Sequence, residues 1–276
     1  MAHASSVRKV GDTPLVRRLL IGIGLLLTGI FLVAPVALIF MQAFSAGFDT
    51  YRDNILHADT LHAIRLTVLV AVVVVPINVL FGICAAWLLT KYSFPGKKLL
   101  ITLIELPFSI SPVIAGVIYL FLYGDQGLLG PWLREHDMQI MFSLPAIFLV
   151  SLFVTCPFVA RELIPLMQTQ GSDEEEAAIS LGAGGFITFL KVTLPNIRWA
   201  LLYGTILCNA RVMGEFGAVS VVSGSIRGET NTLPLQIELL YNDYNAVGAF
   251  AAASTLTLIA VLTLVLKTIF DRKRQA

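Results

Sequence analysis

The chain has 276 residues, 57% of them hydrophobic and 13% charged, with a mean hydropathy of +0.82 and a formal net charge of +1. Soluble domains carry about 25% charged residues, so the composition excludes an ordinary soluble domain and points to an integral membrane protein. A net charge this small also argues against a nucleic-acid partner.

Residues 1–18 are polar, with Arg8, Lys9, Arg17 and Arg18, and are predicted as a partly disordered tail. Leu19 to Phe40 is the first apolar span. It is too long for a signal-peptide core, and no convincing cleavage site follows. Five further stretches reach the ~20 residues that a span takes. They are Leu66 to Leu89, Leu99 to Leu122, Phe142 to Ala160, Trp199 to Val222 and Ala246 to Phe270. Glu105, Pro107 and Pro112 interrupt the third, and Pro145 and Pro157 the fourth. Kinks or breaks are expected there, where freed backbone groups face protein or a wet cavity. The pattern predicts an all-α membrane protein of six transmembrane helices, with a permease domain over 19–270 and a short tail at 271–276.

Between the fourth and fifth spans lies the longest hydrophilic insert, Ser172 to Pro195, reading SDEEEAAISLGAGGFITFLKVTLP. Ser172 stands at an N-cap position and Glu175 at N3, the capping-box spacing. Asp173, Glu174 and Glu175 complement the helix dipole. The helix is expected to break at Gly182, a C′ residue with positive φ. A turn at Ala183-Gly184-Gly185 and a second short helix, Phe186 to Val192, follow; Phe186, Phe189 and Leu190 form its apolar stripe, and Pro195 is expected to stop it.

The Lys/Arg distribution orients the chain. Fourteen cluster on the side of the termini and the insert, and three (Arg52, Arg134, Arg227) fall on the other, with Arg65 at a span edge and Arg211 inside one. Both termini and the insert are therefore expected in the cytoplasm.

Arg211 and Glu215 are charges inside the fifth span, four residues apart, a spacing that lets them pair on one helix face. An internal ion pair, contact of Arg211 with a passing anion, and a proton-relay role for Glu215 all fit this pattern. Ala210, Gly214 and Ala218 recur at four-residue intervals, as in closely packed membrane helices. Ser109, Ser111, Ser220 and Ser223 lie in spans that could line a polar route, although hydroxyls in helices also bond back to their own backbone. Cys84, Cys156 and Cys208 sit in apolar runs without metal-ligand spacing, and the four histidines form no metal motif. No P-loop pattern is present, so no cofactor is expected on this chain. ATP and Mg would belong to a separate subunit.

The run Glu176-Ala177-Ala178, then Gly182, Val192 and Leu194-Pro195 at its spacing, resembles the EAA loop of ABC importer permeases. Val192 stands where that family usually has Ile. The resemblance implies a type I ABC importer permease fold in a bacterial inner membrane. It also implies that the insert is a coupling helix docked on a cytoplasmic ATPase through Glu176, Ala177, Ala178, Gly182, Leu194 and Pro195. An interfacial amphipathic helix–turn–helix is the plainer alternative. GEFGAVSVVSGSIRGET from Gly214 resembles the oxyanion branch of these permeases. GSIRGETNTLPLQIELLYNDYN from Gly224 and TCPFVARELIP from Thr155 resemble the W-type subunit of sulfate/thiosulfate importers. The resemblance implies four kinds of partner: a homologous T-type permease subunit, two ATPase subunits, a periplasmic sulfate-binding protein, and sulfate or thiosulfate itself. A molybdate or tungstate permease and a proton-coupled anion carrier using Glu215 remain as alternatives.

Overall fold

The computed structural model describes residues 13–275, and among them every regular element is helical. Helix α1 (Pro14–Thr28) passes through a π turn, Gly29–Val33, into α2 (Ala34–Ala43). Then come α3 (Phe48–Leu56), α4 (Ala58–Lys91), α5 (Lys97–Ser109), α6 (Pro112–Tyr123) and α7 (Gly130–Glu135). They are followed by α8 (Leu144–Thr155), α9 (Pro157–Gln170), α10 (Asp173–Ser180) and α11 (Gly185–Thr188). A second π turn, Phe189–Thr193, leads into α12 (Leu194–Met213), and α13 (Gly217–Val222), α14 (Leu233–Asn242) and α15 (Ala246–Gln275) complete the chain.

The two π turns have one cause. Each ends one residue before a proline-containing first turn, Pro35 in α2 and Pro195 in α12. Proline lacks an N–H, and its ring collides with the carbonyl four residues back. Widening the turn moves the preceding hydrogen bonds one residue further, Ala34 N–H to Gly29 O and Leu194 N–H to Phe189 O, and the helix continues. Pro195 therefore opens α12 and does not stop the preceding helix as expected.

Among the described residues, four helices are long and apolar enough to cross a membrane: Pro14–Ala43, Ala58–Lys91, Leu144–Gln170 and Ala246–Thr263. The pair α5–α6 makes a fifth if counted as one span, but it bends by 108°. Pro112 drives Ser111 into extended backbone at φ −58° and ψ 134°, so the expected third span folds at Ile110-Ser111. Helix α12, which carries Asn196, Arg198, Asn209 and Arg211, falls short of the same measure of apolarity, and the fifth span ends at Met213. The expected six spans thus appear as four or five by length and apolarity. The fourth span runs ten residues beyond Ala160, to Gln170, which puts Arg161 inside a helix; its guanidinium lies 4.5 Å from the ring centroid of Phe108. The N-terminal tail is helical from Pro14, and residues 1–12, like Ala276, lie outside the described residues.

The core gathers around α4. Val70 and Val74 of α4, Ile147 and Val150 of α8, and Val159 and Leu163 of α9 pack with Ile197 and Cys208 of α12 and Val219 and Val222 of α13. Two glycines set close crossings in this core. A Cβ on Gly82 would lie 2.6 Å from the Val159 side chain, and one on Gly116 2.8 Å from the Ala218 carbonyl oxygen. Asn78 of α4 donates to Thr155 Oγ1 of α8 at 2.7 Å, so this polar group in the bundle is satisfied. At the periphery, only Ala43 of Pro14–Ala43 is buried, and the exposed apolar surface of this segment suits lipid.

Candidate functional site

The insert begins at Gly171, whose φ of +71° and ψ of −153° fall in a region that essentially only glycine occupies. Ser172 stands at the N-cap of α10 but caps no backbone N–H; its hydroxyl donates to Glu176 Oε1 at 2.6 Å. Glu175 does not close the predicted capping box. Its Oε1 accepts from Thr193 Oγ1 at 2.7 Å, and its Oε2 lies 2.5 Å from Lys91 Nζ. A cation and a hydroxyl outcompete a single backbone donor for that carboxylate. Lys91, the last residue of α4, also donates to the Gly171 carbonyl at 2.6 Å, and Asn196 of α12 donates to Glu174 Oε2. The acidic first turn of α10 is thereby tied to α4 and α12. The sequence pattern assigned these carboxylates to the helix dipole and, for Glu175, to the capping box. The one signal for the tie was a lysine ending a long apolar helix.

At the other end of α10, Gly182 has φ +87°. Its N–H bonds to Ile179 O at 2.9 Å, and the N–H of Ala183 to Ala178 O at 3.0 Å. These are the two bonds of a Schellman stop, in which the left-handed residue is usually glycine. Nothing lies within 4 Å of a Cβ built on Gly182, so only backbone strain opposes a side chain there within this chain.

The turn carries an open apolar face. Leu181 is 89% exposed and Phe186 74%, with Ile179, Ile187 and Leu190 also exposed. Phe189 points the other way, onto Trp87 of α4, with ring centroids 5.5 Å apart. The expected stripe of Phe186, Phe189 and Leu190 is thus split between an outward and an inward side. Glu176 and Ala177 are exposed, Ala178 and Leu194 half-buried, and Pro195 exposed at the start of α12. Clustered exposed apolar side chains of this kind mark a protein- or membrane-interaction surface.

Arg211 and Glu215 come together, but not on a helix face, because α12 has already ended at Met213. Arg211 Nη1 lies 2.8 Å from Glu215 Oε2. Glu215 Oε1 accepts the Ala218 N–H of α13 at 3.0 Å, and the residue is buried. The carboxylate therefore bridges the break between α12 and α13. The break also dissolves the stripe of Ala210, Gly214 and Ala218, since Ala218 is buried against α6 of the same chain. Ser220 donates to Gly217 O in its own helix, and Ser223 Oγ accepts from the Ser225 N–H. Ser109 and Ser111 are exposed at the bend between α5 and α6. Among the described residues, no group of three or more His, Cys, Asp or Glu is placed to hold a metal.

The family model described as "binding-protein-dependent transport system inner membrane component" matches residues 78–276. Over 273 residues the chain is 57% identical to the sulfate transport system permease protein CysW of Escherichia coli (strain K12), covering 98% of this chain and 94% of that one. It is 35% identical over 250 residues to the sulfate transport system permease protein CysT of the same organism, covering 88% and 90%. Among solved structures, a bacterial ABC transporter involved in the import of the acidic polysaccharide alginate superposes with a TM-score of 0.76 over 95% of each chain, at 17% identity.

Proposed function

The chain belongs to the binding-protein-dependent inner-membrane transport components, and from that premise we propose that it is the W-type permease subunit of an ATP-driven sulfate/thiosulfate importer. The observation that carries this reading is the 57% identity to a sulfate permease along 98% of the chain. Similarity to a second sulfate permease, CysT, supports a pair of homologous subunits with the translocation route between them. The family description supports a binding protein that delivers the anion.

The structure offers a physical route for coupling. A short helix such as α10 is marginal on its own in water, and the turn from α10 into α11 exposes Leu181 and Phe186. A cytoplasmic ATPase, two copies per transporter, fits that face. Closure of the ATPase pair on ATP would push α10 and, through it, the bundle. A dianion crossing lipid needs hydroxyls, backbone N–H groups or a cation along its way. Arg211 is engaged with Glu215, an arrangement that fits an internal bridge better than a ligand.

The test is complementation. In a cell lacking its own W-type subunit but keeping the other components, expression of this chain should restore uptake of labelled sulfate. That uptake should be competed by thiosulfate and abolished by depleting ATP. Restored uptake of molybdate with none of sulfate would overturn the assignment.

A further inference from the structure

We propose that Lys91 is a positioning residue for coupling: by holding Glu175 and the Gly171 carbonyl, it makes α10 move together with α4. The inference rests on the reading of the insert as an ATPase-docking element.

Gly171 is the single residue between α9 and the N-cap of α10, and its backbone conformation is open to glycine with little restraint. A load applied to the exposed face of α10 would be absorbed there as rotation about Gly171 unless the first turn were fixed. Lys91 fixes it at two points, the carbonyl of the hinge residue itself and the first turn of α10, with Nζ 2.6 Å from Gly171 O and 2.5 Å from Glu175 Oε2. The lysine and glutamate side chains are each only 14% exposed, so the pair is largely shielded from water. Thr193, itself buried, holds the other oxygen of Glu175, and Asn196 holds Glu174. Lys91 terminates a 34-residue helix, about 50 Å long at 1.5 Å per residue. A push on α10 therefore reaches α4, which crosses the whole bundle and packs on α8, α9 and α12. Trp87, one turn before Lys91, adds the apolar contact with Phe189.

A route inferred from contacts needs a measurement of coupling. The complete transporter, with both permease subunits, ATPase and binding protein, is reconstituted in liposomes, and labelled sulfate taken up is divided by ATP hydrolysed. Lys91→Met should retain the ATPase and hydrolyse ATP, yet take up at least fivefold less sulfate per ATP. Lys91→Arg, which keeps the charge and the donors, should stay within twofold of wild type. Should Lys91→Met fail to assemble, Glu175→Gln carries the same comparison, with the same fivefold fall expected. An unchanged ratio, or uptake and hydrolysis falling in step, would overturn the positioning role. Failure of the wild-type permease to retain the ATPase would instead overturn the parent reading.

Discussion

Arg211 and Glu215 meet at 2.8 Å across a gap in the helix, so one buried carboxylate joins the end of α12 to the start of α13. Removing one partner of a buried pair costs about 3–5 kcal/mol. Arg211 remains 32% exposed, and the solvent reaching it places Glu215→Gln near or below the lower end of that range. The expected outcome is a complex with reduced yield and lower melting temperature. The double change Arg211→Met with Glu215→Met should recover assembly. Sulfate uptake by the assembled double variant would show that Arg211 is not an anion ligand; its loss would favour a ligand role.

Gly82→Ala is expected to disturb the α4–α9 crossing, since the new methyl group would sit 2.6 Å from Val159. Overpacking of this kind costs about 1–3 kcal/mol. Gly22→Ala in α1, where nothing lies within 4 Å, should leave stability unchanged or slightly raised. Thermal unfolding of the two detergent-purified variants checks the contrast, and equal midpoints would contradict the packing at Gly82.

Gly182→Asp should insert normally and lose uptake. The backbone strain at φ +87° costs about 1–2 kcal/mol, and a charge enters the exposed apolar face proposed to dock. Gly182→Asn, which tolerates the left-handed region, separates the two effects. If it transports at half the wild-type rate or better, conformation and charge dominate. If it loses transport and ATPase binding together, close approach of the partner is the cause. Gly182→Asp that keeps the ATPase and transports normally would remove the coupling role of the insert.

Reporter fusions after residues 96 and 228 are expected to read cytoplasmic and periplasmic. The charge distribution gives the signs, and the fold supplies the separation. Leu233, just beyond residue 228, donates its N–H to Thr67 of α4. Thr67 stands about 36 Å along that helix from Lys91, at 1.5 Å per residue. Identical readings from the two fusions would defeat this arrangement.

The legible parts of the fold were those that depend on local chemistry. Apolar runs located the long helices, and Gly182 announced the end of α10 because few other residues accept its backbone conformation. Prolines were legible as disturbances, but not as to kind. Pro112 folds a span back by 108°, whereas Pro195 follows a π turn and leaves the helix unbroken, and the difference lies in hydrogen-bond register. Helix α14 escaped because its apolar stretch is short and begins after a run of turn residues. The tie between Lys91 and Glu175 left only a faint mark in the sequence, a lysine at the end of a long apolar helix. It joins residues far apart in sequence, and nothing in a lysine or a glutamate names its partner. Local spacing suggested a capping box for Glu175, and tertiary geometry offered it stronger partners.

The π turn at Phe189–Thr193 also sets a rotational phase. One residue corresponds to about 100° of turn in an α-helix, so an extra residue in this segment fixes which way α12 faces relative to the insert. Deleting one residue there, for example Val192, would leave the composition almost untouched. It would nevertheless swing Arg211 and the rest of α12 around their own axis while the turn at Gly182 stayed where it was. In this helix, length works as an angle, and the chain encodes the alignment of its hydrophilic insert with its apolar bundle as a count of residues between Gly185 and Pro195.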